Sequence, residues 1–341
     1  MVRRLLLENP GNRFERFHVE YDEGAPEAAL EIYDDQSQSI LSENDSPDLP
    51  FRFSVNPYRG CLHGCAYCYA RPTHEYLGFG AGSDFERKLV VKRRAPELLA
   101  AAFERKSWRG ELVVFSGNTD CYQPLEKSLE LTRGCLAVCA RYRNPVHIIT
   151  KSALVERDLD LLTQLAAEAH AGVTISIPFL SADVARAIEP YAPPPARRIE
   201  AVRRLASAGL NVSVNVAPLI PGLNDRDVVP ILEAVHEAGA KGAGIVPLRL
   251  PGSAAQVFAD RLREALPLSA EKVLTRVREM RDGKLNDSRF GSRMEGRGRY
   301  IETVLELFEI TVRRLGMERR EAAPHAVTFR RPGPQLELFG K

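Results

Sequence analysis

At 341 residues, 44% apolar and 27% charged, the chain has the bulk of one large barrel or two ordinary domains and the composition of a soluble globular protein. Its formal net charge of +2 is nearly neutral, so contact with nucleic acid would have to come from a local patch and not from the overall field. No run approaches the roughly 18 apolar residues of a spanning helix. The apolar run within Met1–Pro10 is too short for a signal peptide, so the expected setting is the cytoplasm, where thiols stay reduced.

Residues 1–50 read as an acidic, partly disordered extension carrying Glu20, Asp22, Glu23, Glu27, Glu31, Asp34 and Asp35. From Phe51 short apolar runs suited to buried strands alternate with helix-period segments. The predicted strands are 52–56, 111–116, 146–150, 172–178, 211–217 and 243–248. The helices expected between and after them cover 96–106, 125–141, 153–168, 196–208, 227–238 and 253–264. Six such units predict an α/β fold, a partial (β/α)6 barrel of the TIM type over 51–266, with its chemistry at the C-terminal ends of the strands. Residues 267–318 read as a helical C-terminal extension, with helices at 269–280 and 300–315 around an Arg/Gly loop, Arg281–Arg299. Residues 319–341, rich in Pro and Arg, read as a mobile tail.

The cysteine loop follows the first strand. Cys61, Cys65 and Cys68 gather three of the six cysteines at C-x3-C-x2-C spacing. Three thiolates on one loop suit an iron–sulfur cluster with one iron left open to another ligand. A zinc site completed by His63 or His74 shares the spacing. The segments after later strands are polar: Ser116–Pro124, Thr150–Ser152, Ser176 with Glu189, and Ala217–Asp225. Polar groups converging with the cysteines on one face favour a cofactor pocket over a zinc clip.

With Tyr67 just before the third cysteine, the loop resembles that of the radical S-adenosylmethionine (SAM) superfamily. The wider set resembles the spore photoproduct lyase-like branch: Asn56–Cys61, Thr119–Glu126 with Thr132 and Arg133, Ile149–Ser152, Glu189 and Pro190 with Arg197 and Arg198, and Ala217–Asp225. The resemblance implies a [4Fe-4S] cluster on Cys61, Cys65 and Cys68, with SAM on the open iron and a 5′-deoxyadenosyl radical as its product. It places Tyr67 against adenine, Gly117, Asn118 and Thr119 near the methionine end, Lys151 on the carboxylate, and Ser176 and Arg198 at ribose or carboxylate. It also implies an electron donor such as flavodoxin or ferredoxin, and a lyase-like DNA repair activity. RNA or protein modification is the alternative substrate class, and a non-catalytic zinc or iron–sulfur module the alternative from outside enzymology.

The type enzyme of that branch carries a cysteine hydrogen donor where this chain has Gly117. Cys121, beside Tyr122, is the replacement candidate for catalysis, weighed against simple packing under its loop. Cys135 and Cys139 share one helix face and read as core residues, or with Cys121 as ligands of a second cluster. His63 reads as a solvent-facing loop residue, and His74 with Glu75 as outer support of the site. The Arg/Gly loop suits phosphates, although Asp282, Asp287 and Glu295 dilute its charge. Gln335–Phe339 resembles the short peptide by which bacterial repair proteins dock on the sliding clamp.

Overall fold

The computed structural model describes residues 8–15, 29–319 and 328–332. Eleven strands occur among them: β1 (Glu31–Asp34), β2 (Leu41–Glu43), β3 (Phe53–Val55), β4 (Tyr58–Arg59), β5 (Lys88–Val91), β6 (Val113–Phe115), β7 (Val146–Thr150), β8 (Ala171–Ser176), β9 (Asn211–Leu219), β10 (Gly242–Pro247) and β11 (Glu318–Arg319). The helices are α1 (Ser83–Arg87), α2 (Ala95–Glu104), α3 (Glu126–Leu129), α4 (Leu131–Tyr142), α5 (Leu159–Glu168), α6 (Ala182–Ile188), α7 (Pro195–Ser207), α8 (Val228–Glu237), α9 (Ala254–Ala265), α10 (Pro267–Glu279) and α11 (Arg299–Arg314).

Strands β3, β6, β7, β8, β9 and β10 run parallel, side by side in chain order, with helices in each connection. This is the expected partial barrel. It stays open, with antiparallel β2 on one edge and parallel β11 on the other. The strands are apolar because both faces are covered. All six residues of β8 are buried, and its Val173 and Ile175 share a core with Val212, Val214, Leu162, Leu165, Val202 and Leu205. Burying each such side chain contributes about 1.5–3 kcal/mol.

A second sheet supports the cysteine loop. β5 pairs with β1 in parallel and with β4 in antiparallel register, Tyr58 opposite Val91, and β4 leads straight to Cys61. Residues 29–50, read as extension, thus supply β1 and β2. The helix expected over 125–141 is two helices, broken at Glu130 with φ of +53°. The buried Glu126 carboxylate turns back on the N–H groups of Thr132 (3.0 Å) and Arg133 (3.3 Å) and so caps α4. The first turn of the 153–168 helix is 3₁₀, Ala153–Asp158.

Residues 328–332 lie across the turns that precede β6 and β7. Phe329 stacks on Tyr142 with centroids 6.1 Å apart and meets Phe103 edge-on. Arg331 donates to the carbonyls of Phe103 (3.1 Å), Arg105 (2.6 Å) and Trp108 (3.2 Å), closing the C-terminal end of α2. Gln335–Phe339 lies outside the described residues. No helix among the described residues is long and apolar enough to cross a membrane.

Candidate active site

Cys61, Cys65 and Cys68 are free thiols at the C-terminal end of the parallel strands, the first two buried and the third partly so. Burial, and then the Glu189 carboxylate, pushes the Cys65 thiol well up, against the pull of Lys151. Burial raises Cys68 too, reinforced by Cys61. Lys151 works against this at both thiols, and Arg71 does so more strongly at Cys68. Among the described residues no three His, Cys, Asp or Glu side chains form a group able to hold a single metal ion. The donor set itself, three reduced thiols on one loop, has the chemistry of a cluster site.

The loop is held mainly through its carbonyls. Arg71 is fully buried and donates to the carbonyls of Cys65 (2.9 Å), Gly64 (3.3 Å), Ala81 (2.9 Å) and Gly82 (3.0 Å), with Glu86 as its counter-ion. Gln123, also fully buried, accepts from the Leu62 N–H (3.0 Å) and donates to the Gly60 carbonyl (3.1 Å). At Gly60, φ is +77° and a Cβ would stand 2.7 Å from Leu89, so only glycine passes there. The Ala66 N–H reaches the Ile188 carbonyl at the end of α6 (2.9 Å).

Asp120 ties three strand ends together. It accepts from the Thr150 hydroxyl (2.6 Å), the Lys151 N–H (2.8 Å) and the Tyr122 N–H (2.9 Å), and faces His63 Nδ1 at 3.4 Å. Burial would raise its carboxyl; His63 and these donors outweigh that and hold it far below the usual range. His63 corrects the sequence expectation. It is 2% exposed, and although burial opposes its charge, Cys61 and Asp120 lift it to about 9. His74 is also buried, with Nε2 on the Lys88 carbonyl (2.8 Å), and Glu75 pairs with Arg13.

Tyr67 is buried beside the cysteines, and its hydroxyl donates to Glu189. Glu189 also binds Arg198, which donates to the carbonyls of Pro193 (2.7 Å) and Ser176 (3.1 Å). Arg198 is thus neither a surface arginine nor free for a ligand; it positions Glu189 and, through it, Tyr67. Burial alone would raise the Glu189 carboxyl, but Arg198 and Lys151 hold it below its ordinary value. The Lys151 ammonium lies 5.6 Å above the Tyr67 ring and has no hydrogen-bond or ion-pair partner among the described residues. Among the described residues it is the free cation of the site. Gly117 is exposed with φ of +92°, and its carbonyl accepts from Tyr69 (3.0 Å). Asn118 accepts from Thr73 (3.2 Å), while Thr119 is committed to Asn56 and the Tyr58 carbonyl (2.9 Å). Ser176 is buried at the end of β8, paired with Asn215.

The remaining cysteines are not gathered here. Cys121 is fully buried with Sγ 3.7 Å from the Phe115 carbonyl, and Tyr122 donates to Asp158 (2.9 Å) inside the core. Cys135 and Cys139 are core residues of α4. The Arg/Gly loop is largely self-neutralised: Arg281 is buried on carbonyls, Arg289 pairs with Asp287 and Asp282, and Arg293 pairs with Asp48. Arg71, Asp120 and Gln123 are the functional supports that spacing did not single out. The one signal for Arg71 is an arginine three residues past the last cysteine with no acid beside it in sequence.

The family model described as the Radical SAM superfamily matches residues 55–235. An uncharacterised protein of Mycobacterium tuberculosis is 38% identical over 234 residues, 68% of each chain. One of Methanocaldococcus jannaschii is 32% identical over 178 residues, 52% of this chain and 64% of that one. Spore photoproduct lyase complexed with dinucleoside spore photoproduct superposes with a TM-score of 0.58 at 17% identity, covering 85% of this chain and 81% of that one. A variant of that lyase with bound AdoMet and the same photoproduct gives 0.59 at 18%, covering 89% and 87%. At such identities the structural likeness is one of fold.

Proposed function

The chain belongs to the radical SAM superfamily and is an enzyme, and we propose that it cleaves SAM reductively at Cys61, Cys65 and Cys68 to act on DNA as a lyase-like repair protein. The observation that carries the reading is the unpaired Lys151 ammonium over Tyr67, beside three free thiols. In this reading the three thiolates hold a [4Fe-4S] cluster, which when bound supplies the electron that splits SAM into methionine and a hydrogen-abstracting 5′-deoxyadenosyl radical. Lys151 takes the SAM carboxylate. Tyr67, fixed by Glu189 and Arg198, forms the wall against the adenosyl group, with Ser176 behind it. Gly117, Asn118 and Thr119 bring backbone to the methionine end. Asp120 keeps Lys151 and the cysteine loop in register.

The DNA part is supported by the likeness in fold to a lyase that binds a dinucleoside photoproduct. A damaged base would be turned out of the duplex to reach the open end of the sheet. A small reduced flavodoxin or ferredoxin is the electron source, and Gln335–Phe339 the docking peptide for the sliding clamp. Anaerobic reconstitution with SAM and reductant tests the first part: about four irons per chain and release of 5′-deoxyadenosine are expected. Bound zinc without cleavage would overturn it. Irradiated DNA then tests the substrate. Lesion content should fall with SAM consumption, and an unchanged lesion content would remove DNA while leaving the SAM chemistry.

A further inference from the structure

The rim between the cysteine loop and the Arg281–Arg299 loop gathers three guanidinium groups, of Arg249, Arg281 and Arg293. Their charges bear on one another. Two of them are held by the protein, although Arg281 Nε, like that of Arg249, is buried without an acceptor. Arg281 donates to the carbonyls of Leu248 (2.9 Å), Ser292 (3.0 Å) and Glu295. Arg293 is held by Asp48 and Ser46, and Asp48 also takes the Gly291 N–H (2.6 Å).

Arg249 has no such partner. It stands two residues past β10 and is partly buried. Among the described residues no carboxylate lies within ion-pair reach, Nη1 has only the Met294 Sδ at 2.9 Å, and Nε is buried with nothing to donate to. Burial, and then Arg293, works against its charge. Asp48, which is already paired with Arg293, offsets this only in part, and a half-buried cation without an ion pair of its own weighs against the fold. Arg249 therefore has the character of a group that awaits an anion.

Its position says where the anion belongs. The turn that follows Arg249 touches the segment after the cysteines: a Cβ on Gly252 would lie 3.4 Å from Pro72. Tyr69, next to Cys68, is 49% exposed and tied to Gly117. A guanidinium fork matches a phosphate through two parallel hydrogen bonds. An exposed aromatic ring beside it offers a stacking surface for a base, which a peptide carboxylate would not use.

We propose that Arg249 binds a phosphodiester of the DNA strand presented to the cysteine loop, next to the ring of Tyr69. The inference rests on the DNA reading above. It is tested with the full chain, reconstituted anaerobically, by anisotropy of a labelled short single-stranded DNA oligonucleotide across a salt series. Arg249→Gln should weaken binding by about tenfold or more and lower the salt slope by about one, with Arg249→Lys in between. Arg289→Gln, on the outer face of the basic loop, should bind like the unaltered chain. A neutral methylphosphonate backbone should abolish the difference between the unaltered chain and Arg249→Gln. The melting temperature separates binding from structure: losing an unpaired, partly buried charge should leave it unchanged or raise it. Affinity lost together with melting temperature would mark Arg249 as structural and overturn the proposal, as would unchanged affinity and slope in Arg249→Gln. No DNA binding by the unaltered chain, or binding of the same-sequence RNA alone, would overturn the proposal together with the DNA reading.

Discussion

Arg71 and Lys151 are both cations beside the cysteines, yet their surroundings give them opposite tasks. Arg71 has four carbonyls and Glu86 and so holds backbone; replacing it by Ala removes the buried ion pair and all four carbonyl contacts together. Breaking a buried pair in this way costs about 3–5 kcal/mol. Arg71→Ala should therefore lower the urea midpoint sharply and reduce iron retained on reconstitution. Lys151 has no acceptor among the described residues, so Lys151→Gln should leave the urea midpoint and iron content near their original values. Its effect should be a rise in the KM for SAM of roughly 10–100-fold, the weight of one charge-assisted hydrogen bond of about 1.5–3 kcal/mol. Glu189 adds a pH dependence. Its carboxyl is held below the ordinary value, so its contribution is complete at neutral pH and is lost as pH falls through that lowered value. Glu189→Gln should flatten the acid limb of a stability–pH curve below about pH 4; an unchanged limb would contradict the pairing. The cysteines were legible in the sequence because their spacing is local. Arg71, Asp120 and the buried state of His63 were not, because their partners lie far along the chain: Glu86 for Arg71, and Thr150 and Lys151 for Asp120.

Among the elements, the break between α3 and α4 shows what periodicity misses. Leu125–Arg141 has continuous helical spacing, but Glu126 caps the second helix and bonds Tyr58 and Arg157 as well. Glu126→Ala would strip the partly buried Arg157 of one acceptor and a helix of its cap, a loss of about 3 kcal/mol readable in urea unfolding. The small sheet β1–β5–β4 also went unread, since four-residue β5 sits between two helices and begins with the charged Lys88. The 328–332 segment offers a second test. Gly110 has φ of +82°, and a Cβ there would stand 2.2 Å from Phe329 Cβ. Gly110→Ala should cost roughly 1–3 kcal/mol through backbone strain and displacement of Phe329. The chain's one tryptophan, Trp108, stacks on Phe103 beneath that segment, so its emission should shift to the red.

For the whole molecule, six apolar runs in order were enough to read the parallel sheet, since strands covered on both faces have little other composition open to them. The edges were not legible: β2 and β11 are short, and their pairing depends on what lies beside them. Protection against hydrogen exchange should follow the same gradient, slowest in β7, β8 and β9 and faster by orders of magnitude in β2 and β11. Uniform protection across the sheet would contradict it.

The Phe329–Arg331 clasp sits at the beginnings of the parallel strands, and the cysteines sit at their ends. The protein accordingly has a front and a back, with Pro332 at the back. A bead, a surface or a fused reporter joined beyond that residue would hold the molecule by a handle while its mouth faces outward. Oriented immobilisation is therefore a practical route to watching single turnovers.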